Sequence, residues 1–435
     1  MKNKFKTKIG IIVVIFLSLA PVFLWLLSAP INLRFNGFTA VLTSIGQLSG
    51  LIGLALFAIN LILAARLKFI ENYFNGLNRI YVSHHLIGGI ALILLLIHPL
   101  SLAVSYIPAS VHFAALFLLP SLENIPKTYG SISLALMIVL LFITFFLRWR
   151  YHIWKISHKF LGLAFLFASL HIYFIPSDVS RYYPLRFYML GLVSLGIVAA
   201  VYKIIFGGNK GLAYRVKNVY NPRSWLVEIE LEPLNKSLKF FPGQFAFVSF
   251  ADKKIGKESH PFSITSSPQE KFVRFSVKAL GDYTSNLKNL KAGTAVRLEG
   301  PYGTFCFRNF PIKQIWIAGG IGVAPFLGMA RSLIDSDRKY KIDFYYCTNN
   351  EEEAVYLKEF KDISSRFDNI KINTVFSSEG GKITAKMVEK ELSNLLSEEH
   401  VLLCGPPLMM KSLESQFKER GVPSGNIHSE EFLLY

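Results

Sequence analysis

The chain has 435 residues, enough for two or three domains, and 52% of them are hydrophobic. Lys and Arg number 47 against 29 Asp and Glu, a net charge of +18, but much of the excess sits beside apolar stretches rather than in one stripe, which argues against a nucleic-acid partner. Three cysteines without a CxxC argue against a disulfide framework or a zinc site and suit a reducing compartment.

Apolar segments run over 9–28, 41–64, 80–104, 129–149, 152–175 and 187–206. Each is near the ~20 residues that cross ~30 Å of hydrocarbon, so residues 1–206 are expected to form a six-helix bundle in the lipid bilayer. Lys2, Lys4, Lys6 and Lys8 precede the first segment, and Arg66, Lys68 and Arg79 lie between the second and third. Arg148, Arg150 and Lys155 surround the fourth-to-fifth connection, and Lys203 and Lys210 follow the sixth. The positive-inside rule makes all of these cytoplasmic, which predicts a multi-pass cell-membrane protein with both termini in the cytoplasm. Residues 1–30 also look like a signal peptide. Cleavage would leave five spans and invert the charge asymmetry, so the segment is read as a helix.

Gly207-Gly208-Asn209-Lys210-Gly211 reads as a short linker. Beyond it, strands are expected at Phe245–Phe250, Phe272–Ala279 and Ala295–Leu298, separated by turn residues, as in a small antiparallel β-barrel over 211–308. From Gln314 the pattern becomes strand, glycine turn, helix. Apolar strands at Ile315–Ala318, Ile342–Cys347, Ile370–Phe376 and Val401–Cys404, with helical stretches between them, predict an α/β parallel sheet over 309–435.

Within the apolar half, His84 and His98 share the third segment and His158 and His171 the fifth. An imidazole buried in hydrocarbon is costly unless it is paired or binds a metal. Fourteen residues span roughly 21 Å of helix and nearly four whole turns, so His84 and His98 point the same way. Thirteen residues leave His171 roughly 140° from His158 on an ideal helix, a mismatch that a bend or π-bulge would have to absorb. With the third and fifth helices running in the same direction, His84 pairs in depth with His158, and His98 with His171. Each pair would give bis-histidine ligation to one of two haems b. His85 competes with His84 for the inner position.

The soluble half carries Pro242-Gly243-Gln244, then His260-Pro261-Phe262-Ser263-Ile264-Thr265-Ser266, then Lys278 through Thr284. Glu299-Gly300-Pro301-Tyr302-Gly303, Gly319-Gly320-Ile321-Gly322-Val323-Ala324-Pro325 and Cys404-Gly405-Pro406-Pro407 follow. In their order and spacing these resemble the ferredoxin-reductase superfamily. With the membrane histidines included, nearly the whole chain resembles the ferric reductase and NADPH oxidase family. The resemblance implies an antiparallel β-barrel that binds FAD and a parallel-sheet domain that binds NAD(P)H. Pro261 and Phe262, beside His260, offer a flat face to the isoalloxazine, and the Ser263 hydroxyl is placed for flavin N5. Thr265 and Ser266 offer donors to the ribityl and phosphate portion, with Lys278 and Thr284 for the pyrophosphate. Gly319, Gly320 and Gly322 allow a tight turn that exposes N–H groups to dinucleotide phosphates, and Pro325 is tolerated near the helix start. Cys404, before Gly405 and Pro406, is implied to sit by the nicotinamide and assist hydride positioning. Phe432 matches the family's terminal aromatic that stacks on the flavin, although Tyr435 is an alternative.

A hydride delivers two electrons and a haem iron takes one, so a flavin that accepts two and releases them singly belongs between them. The expected activity is transfer from NADH or NADPH through FAD and the haems to an acceptor outside, a ferric chelate or O2. Superoxide-producing relatives carry a histidine four residues beyond the outer ligand, where this chain has Leu102; that tilts the expectation towards ferric chelates. Thr348-Asn349-Asn350-Glu351-Glu352-Glu353 lacks the arginine that usually meets a 2′-phosphate, which favours NADH. Arg34, Arg181 and Arg186 are candidates for binding haem propionates or an anionic acceptor. A proton channel or transporter with a redox-sensing soluble half is the rival reading, weakened by the lack of acidic residues deep in the six segments.

Overall fold

The computed structural model describes residues 2–74, 76–147, 151–206, 211–256, 258–334, 340–392 and 396–430, with backbone alone for 2–8, 151–153 and 206. Two compact units divide between residues 209 and 210. Most of the linker 207–211 lies outside the described residues, as do Phe432 and Tyr435.

Among the described residues of the first unit, six helices are long and apolar enough to cross a membrane. These spans are Ile9–Leu27, Phe38–Ala64, Leu77–Ser105, Ile125–Phe146, Trp154–Phe174 and Tyr183–Ile205. The second span is the most buried, and glycines explain how its neighbours approach it. A Cβ at Gly46 would stand 2.8 Å from the Leu102 side chain, and one at Gly53 would stand 2.8 Å from Leu95. Small residues two turns apart on one helix face let helix backbones close in, which is how helices associate where lipid removes any hydrophobic drive.

The fifth span is not one continuous helix. It consists of Tyr151–Lys159 and Leu161–Phe174, interrupted at Phe160. There the Phe160 N–H donates to the Ser157 carbonyl at 3.0 Å and the Leu163 N–H to the Phe160 carbonyl at 2.9 Å. Bonds to the third residue back wind the chain more tightly than an α-helix. This interruption, rather than a single helix over 152–175, lies between His158 and His171.

The second unit holds two sheets. Strands β1 (Leu212–Arg223), β2 (Leu226–Pro233), β3 (Phe245–Phe250), β4 (His260–Ser263), β5 (Val273–Lys278) and β6 (Ala295–Tyr302) form an antiparallel sheet in the order β4-β3-β6-β1-β2-β5. A bridge between Ile264 and Phe275 joins the two ends of that order, curling the sheet into a barrel. Its interior is apolar, with Tyr214, Val248, Phe250, Phe275 and Leu298 buried. Strands β7 (Lys313–Gly319), β8 (Lys341–Thr348), β9 (Ile370–Phe376), β10 (His400–Cys404) and β11 (Ile427–Glu430) form a parallel sheet in the order β11-β10-β7-β8-β9. Both faces are covered, by the cluster around Trp316, Phe326 and Phe344 and by that around Ile317, Val401 and Phe417. Burial on both faces is why β7 and β10 read as continuous apolar runs rather than as alternating ones.

Candidate functional site

In the membrane unit the four histidines meet in the expected pairs. The ring centres of His84 and His158 are 6.1 Å apart, and those of His98 and His171 are 6.2 Å apart. With a metal–nitrogen bond of about 2 Å on each side and ring nitrogens just off the ring centres, two imidazoles sharing one iron have centres roughly 6 Å apart. Each pair therefore fits a single metal ion held between two rings. Among the described residues no cluster of three or more His, Cys, Asp or Glu gathers anywhere, so any metal here needs its remaining ligands from elsewhere, as a porphyrin would provide.

Hydrogen bonds orient three of the rings. His98 Nδ1 lies 2.7 Å from the Gly46 carbonyl, His171 Nδ1 lies 2.8 Å from that of Pro126, and His84 Nδ1 lies 3.2 Å from that of Asn60. A ring N–H donated to a carbonyl leaves Nε2 as the nitrogen with a free lone pair, the tautomer a metal requires. His158 Nδ1 is buried without a hydrogen-bond partner, and its ring stacks on Trp154 at 5.3 Å. His85 is exposed and turns back to the Tyr81 carbonyl of its own helix at 2.9 Å, so the ring facing His158 is that of His84.

Arg34 has a different duty from the one expected. It is 7% exposed, with Nη1 at 2.5 Å from Asp178 and Nη2 at 2.6 Å from the Ser28 hydroxyl. Its guanidinium also lies over the Trp25 ring at 3.9 Å. Paired in this way, it ties the first span to the segment before the sixth. Arg186 lies over the Tyr173 ring at 5.8 Å, and Arg181 ends the short helix Asp178–Arg181.

In the second unit, β4 presents His260-Pro261-Phe262-Ser263 along β3, with Ser263 opposite Phe245 and Phe262 opposite Ala246. The His260 ring packs on Tyr283 at 3.9 Å and its Nε2 reaches Glu258 at 3.1 Å. Burial, reinforced by Glu258, raises the Tyr283 phenol above its usual range. Thr265 and Ser266 continue the chain into a buried turn. The Thr265 N–H donates to the Arg274 carbonyl at 2.9 Å, and Arg331 Nη1 donates to the Thr265 carbonyl at 2.7 Å. Arg331 is itself held by Glu359, with Nε to Oε1 at 2.6 Å. A Cβ at Gly328 would stand 2.6 Å from the Ile264 carbonyl, so the helix Ala324–Leu333 rests directly on this turn. Arg331, Glu359 and Gly328 carried no sequence signal, because their partners are 28 to 66 residues away.

Lys278 and Thr284 flank the same end of the barrel. Lys278 Nζ lies over the Trp225 ring at 5.5 Å. The Thr284 hydroxyl accepts from the Leu280 and Gly281 N–H groups at 2.9 and 3.1 Å, which caps the helix Asp282–Asn286. Its first task is thus to shape the loop that carries it.

The remaining residues converge where the parallel strands end. Gly319 ends β7, Cys404 ends β10, and Glu430 ends β11 in register with Cys404. Gly322 packs on the β10 end so closely that a Cβ would stand 2.4 Å from the Cys404 carbonyl oxygen and 2.7 Å from Gly405 Cα. At Gly319 the obstacles are Met409 and Pro406, both 2.7 Å away. Pro406 precedes the helix Pro407–Glu419, and Pro325 lies in the first turn of Ala324–Leu333. Two helix starts and the carboxyl ends of three strands thus share one edge, the place where open parallel sheets take their ligands. Cys404 is 1% exposed, and burial beside Glu430 pushes its thiol well above the usual range, so it is a neutral S–H there.

The chain matches three family models. They are the ferric reductase like transmembrane component over residues 49–169, the FAD-binding domain over 212–305 and the oxidoreductase NAD-binding domain over 316–415. It is 29% identical over 210 residues to the ferredoxin–NAD(P)(+) reductase component of the naphthalene 1,2-dioxygenase/salicylate 5-hydroxylase systems of a Ralstonia species, covering 46% of this chain and 62% of that one. It is 31% identical over 195 residues to a Methanocaldococcus jannaschii protein named "Probable dihydroorotate dehydrogenase B (NAD(+)), electron transfer subunit", covering 44% and 68%. The chain spans about three fifths of the length of the first curated relatives it matches. Among solved structures, the FAD/NAD-binding domain of nitric oxide dioxygenase from Vibrio cholerae aligns with 52% of this chain and 99% of its own, at 21% identity and a TM-score of 0.44. A ferric-reductase-like transmembrane component is thus joined in one chain to an FAD-binding and an NAD-binding domain, which matches the architecture of the ferric reductase and NADPH oxidase family.

Proposed function

We propose that this oxidoreductase carries electrons from cytosolic NAD(P)H through FAD and two b-type haems to a ferric chelate on the far side of the membrane. The observation that carries the reading is the meeting of four histidines, on two spans, as two facing pairs with ring centres 6.1 and 6.2 Å apart. Haem held at each pair would supply one-electron carriers, and FAD along β4 would supply the conversion from a hydride to single electrons.

The chain's own residues do the holding and orienting. The carbonyls of Gly46, Pro126 and Asn60 fix three imidazoles with Nε2 free. Pro261, Phe262 and Ser263 form the flavin-facing strand, and Arg331 and Gly328 set the turn through Thr265 and Ser266 behind it. Gly319, Gly320, Gly322 and Pro325 shape the dinucleotide turn, while Gly405 and Pro406 lead into the facing helix. Cys404, being neutral, presents a small S–H to the nicotinamide without a repelling charge. After β8, Asn349 and Glu353 bond to each other, so the edge that meets the adenosine ribose is acidic; this favours NADH over a 2′-phosphorylated donor. Leu102, where superoxide-producing relatives have a histidine, packs against Gly46, which favours a chelate over oxygen as acceptor.

The test uses the purified full chain, loaded with FAD and haem. NADH added anaerobically should reduce the haem Soret and α bands, and ferric citrate should reoxidise them. His98→Ala should halve the haem per chain and abolish ferric citrate reduction while NADH still bleaches the flavin. A Soret band indifferent to NADH would sink the reading; faster superoxide formation than ferric citrate reduction would move the acceptor to oxygen.

A further inference from the structure

The geometry points to Gly50 and Gly130 as positioning residues for the His98–His171 pair: each leaves one helix carbonyl uncovered so that a ring N–H can reach it. The inference rests on the haem reading above and adds what sets the orientation of that one site.

In an α-helix the side chains lean towards the amino terminus, so the residue at i+4 lies over the carbonyl of residue i. That carbonyl already accepts the i+4 N–H, and a ring as bulky as an imidazole approaches it most closely from outside the helix where the covering side chain is absent. The second span meets this condition for His98. Its Nδ1 lies 2.7 Å from the Gly46 carbonyl, the residue four further on is Gly50, and a Cβ there would stand 2.6 Å from that same Nδ1. The fourth span repeats the arrangement for His171. Its Nδ1 lies 2.8 Å from the Pro126 carbonyl, the residue four further on is Gly130, and a Cβ there would stand 2.9 Å from Nδ1 and 3.1 Å from Cε1.

Two different helices thus treat the two rings of one pair alike. The other pair is built otherwise. His84 Nδ1 stands further off, 3.2 Å from the Asn60 carbonyl, whose residue four further on is Ala64. His158 Nδ1 has no hydrogen-bond partner. A donated ring N–H fixes the tautomer and the ring angle and makes Nε2 a stronger electron donor to its metal. Both ligands of the His98–His171 site carry that bias; neither ligand of the other site has it to the same degree. The expected consequence is a metal held by two electron-rich imidazoles, with a lower reduction potential than it would have if the bonds were broken.

The experiment compares the full-length protein with Gly50→Ala and Gly130→Ala, using Gly89→Ala and Gly162→Ala as controls because a Cβ at either control position meets nothing within 4 Å. Haem per chain is measured as the pyridine haemochromogen, and each haem is followed by a redox titration with low-spin ferric EPR. In the two test variants one haem of the two should be lost, or retained with a raised potential and altered g values, while the second haem and both controls stay as in wild type. Two haems with unchanged potentials and g values in both test variants would overturn the proposal. Absence of haem from wild type would instead strike at the function proposed above. If the test variants do not accumulate, the wild type decides. With 15N-labelled histidine rings in the reduced state, two ligand Nδ1–H signals shifted by strong hydrogen bonds are expected, and their absence overturns the assignment.

Discussion

Single residues carry charge balances that no pattern of neighbours in the sequence announces. His428 in β11 lies with Nε2 3.0 Å from His400 Nδ1, its ring parallel to that of His400 and stacked beneath Phe310 at 3.8 Å. Burial, with His400 adding to it, lowers the His428 pKa from 6.5 to about 3. Between those two values the unfolded chain takes up a proton that the folded one refuses, so stability is greatest above pH 6.5 and falls as pH drops through the window. The slope contributed by this group is at most about 1.4 kcal/mol per pH unit. The temperature at which the full chain releases FAD should therefore fall between pH 7 and pH 5, and His428→Gln should flatten that dependence; an unchanged profile in the variant would remove the role assigned to His428. The same scale shows where reading by residue type reached its limit. Thr284 and Arg34 are polar groups of the expected kind, but their hydrogen bonds go to the Leu280–Gly281 loop and to Asp178. A side chain's type says what it can bond to, and only its surroundings say what it does bond to.

At the scale of elements, the sequence was most readable where one local pattern decides the outcome. Strand β3 falls on the expected Phe245–Phe250, and β9 on the expected Ile370–Phe376, because the apolar runs are bounded by turn residues. The break at Phe160 was less legible. An apolar run of about twenty residues specifies a span but not whether it winds evenly, and the interruption falls between His158 and His171. The glycine turn after β7 shows the reverse case, where a motif was legible but its tightest constraint was not. Gly322 is required by the backbone of Cys404 and Gly405, which comes from β10, some eighty residues later. In Gly322→Ala a methyl would press on backbone atoms that cannot yield, a cost of about 1–3 kcal/mol at the strand ends. The KM for NADH should rise at least tenfold with haem per chain unchanged. A wild-type KM in that variant would show that the turn does not shape the dinucleotide site.

For the whole molecule, charge crossing the membrane makes a prediction that no part of the chain can test alone. Complete transfer of one electron across the bilayer is worth about 2.3 kcal/mol per 100 mV. In proteoliposomes, with NADH on the face that carries the soluble half and ferric citrate sealed on the other, an imposed potential that is negative on the NADH side should speed steady-state reduction. The opposite polarity should slow it. If rate is indifferent to polarity while reduction proceeds, the electron does not cross the field, or the crossing does not limit the rate.

Local sequence sufficed for whatever repeats or clusters: six apolar spans, a barrel of short strands, alternating strands and helices, and histidines spaced to sit at two depths on two helices. Those features follow from burying apolar surface and from helical rise, which act over a few turns of chain. Long-range packing settled which nitrogen of His84, His98 and His171 is tied down, that His84 and not His85 faces His158, and that Arg331 reaches the turn at Thr265. It also decided why Gly50, Gly130 and Gly322 admit no side chain. Each of those outcomes depends on how closely two backbones approach across dozens of residues, a distance set by the packing of both partners and written in neither one.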